Sequence, residues 1–148
     1  MTQVAVCGPA TCSPEEATWA HQVGALLAER GVVVLCGGGT GVMAAAASGA
    51  RSAGGVVIGV LPDDGPPLAD VTAYLATGMG EGRNAVLVRS ADAVIAIGGS
   101  WGTLSEIALA LRRATIPVIV LGGWQLPASS PHLFPATSPA QAVSLALP

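Results

Sequence analysis

Short unbroken apolar runs alternate with segments of helical spacing along the whole chain. The runs are QVAVC (3–7), VVVLC (32–36), VVIGVLP (56–62), DAVIAI (92–97) and PVIVLGG (117–123). A run of Val, Ile and Leu without polar alternation marks a strand buried on both faces of a parallel sheet. Between the runs, Ser13, Pro14 and Glu16 supply an N-cap, an N1 proline and a capping-box acid. Apolar positions 19, 20, 23, 26 and 27 then form a helical stripe that Gly31 ends. Residues 42–55 read as a helix of small residues closed by Gly54 and Gly55, and 81–91 have helical spacing. Residues 103–114 and 138–147 predict two more helices, the second with another Ser-Pro start. TAYLAT (72–77) is a candidate short strand, and 124–137 reads as a Pro-rich mobile loop without chemistry.

This alternation predicts one domain, residues 1–148, of doubly wound α/β type: a mostly parallel sheet with helices on both faces, Rossmann-like. In such sheets ligands bind outside the carboxyl ends of the strands. No window reaches the roughly 18 apolar residues of a membrane span. The start, MTQVAVCG, lacks the basic region of a secretory signal, so a cytoplasmic protein is expected. Only 10 % of residues are charged against 51 % hydrophobic, which fits a sheet covered on both faces. It also suggests apolar helix surface covered by a second copy, so a homodimer or higher homo-oligomer is expected, with small side chains in AAAASGA and IALALRRA allowing close helix contact. The same small residues serve internal packing equally well.

All six cations are Arg, and there is no Lys. That excludes a Walker A loop, a Schiff-base enzyme and a lysine-rich nucleic-acid patch. A net charge of -3 argues against a polyanionic partner such as nucleic acid. Cys7, Cys12 and Cys36 form no CxxC pair and read as reduced thiols, Cys7 and Cys36 as small buried ones. With only His21 and His132, far apart, no metal site and no cofactor is expected.

Two glycine clusters end strands: CGGGTG (36–41) and GGSWG (98–102). Glycine lets backbone approach a ligand closely, and each cluster feeds a helix N-terminus with unpaired N–H donors. Together with Gly8 at the first strand exit, they make Gly37, Gly38, Gly39, Thr40, Gly41, Gly98, Gly99, Ser100, Gly102 and Thr103 candidates for holding a phosphate or nucleotide. The dinucleotide fingerprint is absent, because the first turn reads CGPATC and no acid ends the third strand at the ribose position.

Glu106 admits two readings. Thr103-Leu-Ser-Glu106 fits a capping box, with the carboxylate in the first helical turn favoured by the dipole. Alternatively a phosphate sits on the N–H groups around Gly102 and Thr103 while Glu106 faces a sugar and stabilises a ribosyl cation or activates water. Arg83 opens a helix, where a cation opposes the dipole; it reads either as solvated or as a partner for a phosphate, with Asn84 adding a hydrogen bond. Arg89, Arg112 and Arg113 fall late in helices, where dipole and solvation explain them, and Asp92 reads as a turn acid.

These motifs resemble the LOG (Lonely Guy) family, also labelled lysine decarboxylase-like. The family's PGGxGTxxE is similar to GGSWGTLSE, its GGGxxGLM to GGGTGVM, and its Arg-Lys pair to Arg83-Asn84. The resemblance covers roughly residues 3–123, with Gly98 for Pro, Ser100 for Gly and Asn84 for Lys. In these departures the chain looks closer to a bacterial branch similar to molybdenum-cofactor carrier proteins. The resemblance implies hydrolysis of the N-glycosidic bond of a nucleoside 5'-monophosphate to free base and ribose 5-phosphate, with Arg83 and Glu106 catalytic. The alternative it implies is a non-catalytic carrier or sensor of a nucleotide or phosphorylated pterin. Either way the expected partner is a small phosphorylated molecule.

Overall fold

The computed structural model describes residues 1–127 and 129–148. The elements run β1 (Gln3–Cys7), α1 (Pro14–Glu29), β2 (Val33–Cys36), α2 (Val42–Ser52), β3 (Val57–Leu61) and β4 (Ala73–Ala76). A single 3₁₀ turn (Gly80–Gly82) leads into α3 (Arg83–Arg89), then β5 (Ala93–Ile97), α4 (Trp101–Arg113), β6 (Val118–Leu121), β7 (Leu133–Ala136) and α5 (Pro139–Ala146). The strands form one sheet in the order β4-β3-β2-β1-β5-β6-β7. All six pairings are parallel. The expected doubly wound, Rossmann-like fold is what the chain adopts. From β1 the chain builds outward to β4, then returns to β5 on the other side of β1, so the topological switch lies between β1 and β5.

Side chains alternate across each strand, as the pleat requires. Val4 and Val6 of β1, with Ile95 and Ile97 of β5, pack under α1, α2 and α5. Ala5 and Cys7 of β1, with Val94 and Ala96 of β5, pack under α3 and α4. The capping box at Ser13 forms as read: Glu16 N–H donates to Ser13 Oγ at 3.1 Å, and Ser13 N–H donates to the Glu16 carboxylate at 2.8 Å. The small residues of α2 serve contact inside the chain. A side chain on Gly49 would meet the His21 carbonyl of α1. Gly49→Val therefore drives α1 and α2 apart and exposes Leu27 and Val23, each of which gains about 1.5–3 kcal/mol from burial.

Two sequence expectations need correction. The helix expected at 103–114 begins at Trp101, and its N-cap is Ser100, whose Oγ accepts from Thr103 N–H at 3.1 Å. Thr103 is thus N3 and Glu106 lies in the second turn, so Glu106 is not the acid of a capping box. Ser100 outcompetes Thr103 because its extended backbone (φ -161°, ψ 169°) suits a cap, whereas Thr103 is helical and buried. Second, the segment 124–137 contains strand β7, paired to β6 from Val118↔Leu133 to Leu121↔Ala136. Pro135 hid it, since proline within an apolar run argues against a central strand; at the sheet edge it is tolerated. Ala128, in the same segment, lies outside the described residues. TAYLAT does contain the short strand β4, at the opposite edge.

Candidate functional site

The carboxyl ends of β1, β2 and β5 are neighbours, and the loops leaving them lean on one another through Pro9. The Pro9 carbonyl accepts from Val42 N–H at 3.1 Å, at the start of α2. Thr40 Oγ1 donates to the Ala10 carbonyl at 2.9 Å. Gly41, at φ 64°, lies so close to the Pro9 carbonyl that a Cβ would collide with it. On the other side, a Cβ on Gly98 (φ 74°) would approach Pro9 Cδ at 3.2 Å and strike the Glu16 carboxylate. The 37–41 and 98–103 segments therefore stand on the same rim, one on each flank of the β1 exit.

Two helices begin at this rim. Gly41, which precedes α2, has no side chain to cap with, so the N–H groups of Met43 and Ala44 meet no helical carbonyl. At α4, Ser100 takes the Thr103 N–H, and Ser100 Oγ and Thr103 Oγ1 lie 2.9 Å apart. Trp101 and Gly102 supply the first two N–H groups of that helix, which also have no helical acceptor. The rim thus presents two positive dipole ends.

Arg83 reaches it from the face of α3. Its Nη1 donates to the Gly37 carbonyl at 2.7 Å and to the Val60 carbonyl at 2.9 Å, joining the ends of β2 and β3. Its Nε donates to Asn84 Oδ1 at 2.7 Å. Asn84 is buried and spends its amide on structure: Nδ2 donates to Ser105 Oγ at 3.0 Å, and Ser105 Oγ donates to the Gly102 carbonyl at 2.7 Å. This relay fixes the guanidinium relative to the first turn of α4.

Glu106 arrives from the next turn of α4, on the face that Cys7 shares. Burial pushes its carboxyl above the ordinary range, while a hydrogen bond from the Cys7 thiol and the Arg83 charge pull it back down. Burial also pushes the Cys7 thiol well up, and the neighbouring Glu106 charge raises it further. Cys36, on the opposite side of the sheet, is raised by burial as well. Both thiols are protonated donors near neutrality, not nucleophiles. A buried carboxyl beside a fixed cation can take up or release a proton or, when ionised, offset a developing positive charge. Glu16, committed to the α1 cap, is a second carboxylate on the rim. Among the described residues, no group of three or more His, Cys, Asp or Glu is placed to hold a metal ion, and no helix is long and apolar enough to cross a membrane.

A family model described as the SLOG cluster4 family matches residues 1–144. The chain belongs to the SLOG cluster4 family. It is 45% identical over 116 residues, 76% of each chain, to an uncharacterized protein of Archaeoglobus fulgidus. It is 38% identical over 96 residues to the cytokinin riboside 5'-monophosphate phosphoribohydrolase LOG of Oryza sativa subsp. japonica, a match spanning 60% of this chain and 38% of that protein. Among solved structures, the molybdenum cofactor binding protein of Rippkaea orientalis superposes with TM-score 0.88 at 36% identity, covering 97% of this chain and 94% of that one. The molybdenum cofactor carrier protein of Chlamydomonas reinhardtii gives TM-score 0.88 at 32% identity, covering 97% and 95%. The resemblance to LOG proteins and to molybdenum-cofactor carriers read from the motifs is what these comparisons find.

In this SLOG cluster4 protein the sequence-selected residues all lie at the carboxyl end of the sheet. Gly8, Gly37, Gly38, Gly39, Thr40 and Gly41 form the β1 and β2 exits; Gly98, Gly99, Ser100, Gly102 and Thr103 form the β5 exit and the start of α4. Thr103 turns its hydroxyl inward and its N–H is taken by Ser100, so the free donors sit at Trp101 and Gly102. Both polar atoms of the Asn84 side chain have a protein partner, Arg83 at Oδ1 and Ser105 at Nδ2. Arg113, read as explained by dipole and solvation, also ties α4 to α3 by donating to the Val88 and Ala91 carbonyls at 2.9 and 2.8 Å. The sequence reading missed the Cys7 contact with Glu106, the relay through Ser105 and the bracing by Pro9. Cys7 was detectable as the last residue of a strand at the ligand-binding end; the Ser105 relay carries no local signal.

Proposed function

We propose that this protein binds a small phosphorylated heterocycle at the joined exits of β1, β2 and β5 and hydrolyses the N-glycosidic bond of a nucleoside 5'-monophosphate. What supports the reading is that Arg83, bonded to the Gly37 carbonyl, and Glu106, coupled to the Arg83 charge, come from different helices 23 residues apart, near the rim where α2 and α4 begin. The phosphoryl group rests on the N–H groups of Trp101 and Gly102, with the α2 start and Arg83 adding positive potential. Water adds at C1′ of the ribose as the bond from C1′ to the base nitrogen breaks; the base leaves with a proton, and ribose 5-phosphate remains. The transition state carries oxocarbenium character, which the Glu106 carboxylate offsets while orienting the water. Similarity to the rice phosphoribohydrolase supports this reading, although the chain spans little more than a third of that relative's length.

The second reading is a carrier that keeps its ligand intact. Near full-length likeness to two molybdenum-cofactor binding and carrier proteins favours it, as does Asn84 standing in the pair where the LOG pattern has Lys. In this reading Glu106 hydrogen-bonds a ligand hydroxyl or ring nitrogen without chemistry. Incubation with AMP and an N6-substituted AMP, followed by chromatography for free base, separates the two. Base release that Glu106→Gln abolishes establishes the hydrolase. Binding of both nucleotides with neither cleaved removes hydrolysis and leaves the carrier.

A further inference from the structure

Strand β4 is one edge of the sheet, and all of its residues are exposed. Its sequence, Ala73-Tyr74-Leu75-Ala76, is apolar throughout. One side of its ladder pairs with β3, from Ile58↔Ala73 to Leu61↔Ala76, and no strand stands on the other side. N–H and C=O groups that face away from a sheet are a template for pairing with another chain. Proteins blunt such edges with proline, with charge or with a covering element. The opposite edge is treated in this way: β7 carries Pro135 and packs against α5. Strand β4 carries neither proline nor charge, and its side chains stand in water on both faces.

The apolar surface continues past the strand. Of the ten large apolar side chains exposed among the described residues, five fall between the start of β3 and the turn beyond β4: Val56, Leu68, Tyr74, Leu75 and Met79. Leu68 is 74% exposed and Leu75 56%. Single exposed apolar residues need no explanation, whereas a group of them along one edge marks an interaction surface. The surface is held in shape. The Tyr74 ring lies against Gly65, where a Cβ would come within 3.2 Å of it, and Thr77 Oγ1 donates to the Leu61 carbonyl at 2.6 Å.

Charge decides the occupant. Asp70 precedes β4, while Asp63, Asp64 and Glu81 follow the carboxyl ends of β3 and β4; all four are exposed. Cations do not balance them. Arg51 approaches Asp70 at 3.8 Å, and Arg83 is turned onto the Gly37 and Val60 carbonyls. A second copy paired antiparallel about a two-fold axis would set the Asp70 end of one β4 beside the Glu81 end of the other, acid against acid. An extended segment in which Lys or Arg alternates with apolar residues suits both the apolar edge and its acidic ends.

We infer that β4 is a docking edge for an extended basic segment of a partner protein, which adds to the seven-stranded sheet as a further strand beside β4. Main-chain bonds to the free ladder groups supply affinity. Alternate side chains of the guest pack on Tyr74 and Leu75, which point to opposite faces, and its cations reach Asp70 and Glu81. The edge lies three strands from β1, so the inference does not depend on what the rim binds.

The test is selection of phage-displayed random octapeptides on the full chain. The best synthetic peptide is then titrated into wild type, Leu75→Lys and the double variant Asp70→Asn/Glu81→Gln. Both variants change exposed side chains and leave the core intact. Strand addition predicts selected sequences that alternate apolar residues with Lys or Arg. It also predicts slower amide hydrogen exchange across residues 73–76 on binding. Affinity should fall about tenfold or more in each variant, and should fall with added salt. A selection that enriches nothing overturns the docking edge. So do peptides that are acidic, that bind either variant as tightly as wild type, or that leave exchange at 73–76 unchanged. Sedimentation showing a wild-type dimer that Leu75→Lys dissociates overturns the partner segment and assigns the edge to a second copy. Each of these failures leaves the proposed function standing.

Discussion

The Nη1 of Arg83 lies 2.7 Å from the carbonyl oxygen of Gly37 and thereby ties the first residue of α3 to the glycine exit of β2. A helix-opening cation, unfavourable for its own helix, is explained by carbonyls that point at it from two strand ends. Arg83→Ala strands the Gly37 and Val60 carbonyls and should cost about 1–3 kcal/mol in urea denaturation. Arg83→Lys keeps the charge but loses the Nε bond to Asn84, so it should recover stability only in part. Full recovery by lysine would mean that charge alone matters here.

The carboxyl of Glu106 is held above its ordinary range mainly by burial. A raised folded pKa means that the folded state binds the proton more tightly than the unfolded state. The stability it contributes is complete below the unfolded value and declines as pH rises through the folded value. Glu106→Gln should therefore raise Tm at pH 7, and the gain should shrink as pH falls and vanish only well below about pH 4, the ordinary glutamate range, where the wild-type carboxyl is protonated in both states. A destabilised variant at pH 7, or a gain independent of pH, would contradict this assignment.

Ser100, not Thr103, caps α4. Ser100→Ala should cost about 1 kcal/mol in chemical denaturation, and Ser100→Gly less. A negligible effect of Ser100→Ala would return the helix start to Thr103.

Glu16 sits against Gly98 while capping α1. Glutamine also completes a capping box, so Glu16→Gln should leave stability nearly unchanged. It removes a negative charge from the rim, and affinity for ribose 5-phosphate should rise several-fold in calorimetry, the more so at low salt. An unchanged affinity would place the phosphoryl group elsewhere.

The fold was legible because its strands are buried on both faces. Apolar runs such as VVVLC and AVIAI can be read without any partner in view, and Ser13 to Glu16 announces α1 by local chemistry alone. Strand β7 was illegible because an edge strand tolerates the proline that argues against a central one. The rim was legible through glycine, since Gly41 and Gly98 mark places where backbone meets backbone. The roles of individual side chains were less so. Ser100 and Thr103 are both good caps in sequence, and only the extended backbone at Ser100 separates them. Asn84 looked like a ligand contact, but its partners Arg83 and Ser105 come together only when α3 packs on α4.

The most direct test of the central claim is a crystal structure of the protein soaked with AMP. The account predicts the phosphoryl group on the N–H groups of Trp101 and Gly102, between the β1 and β5 exits, with the ribose, or ribose 5-phosphate after turnover, within reach of Glu106. A phosphoryl group bound away from this rim, or a nucleotide whose ribose lies out of contact with Glu106, would contradict it.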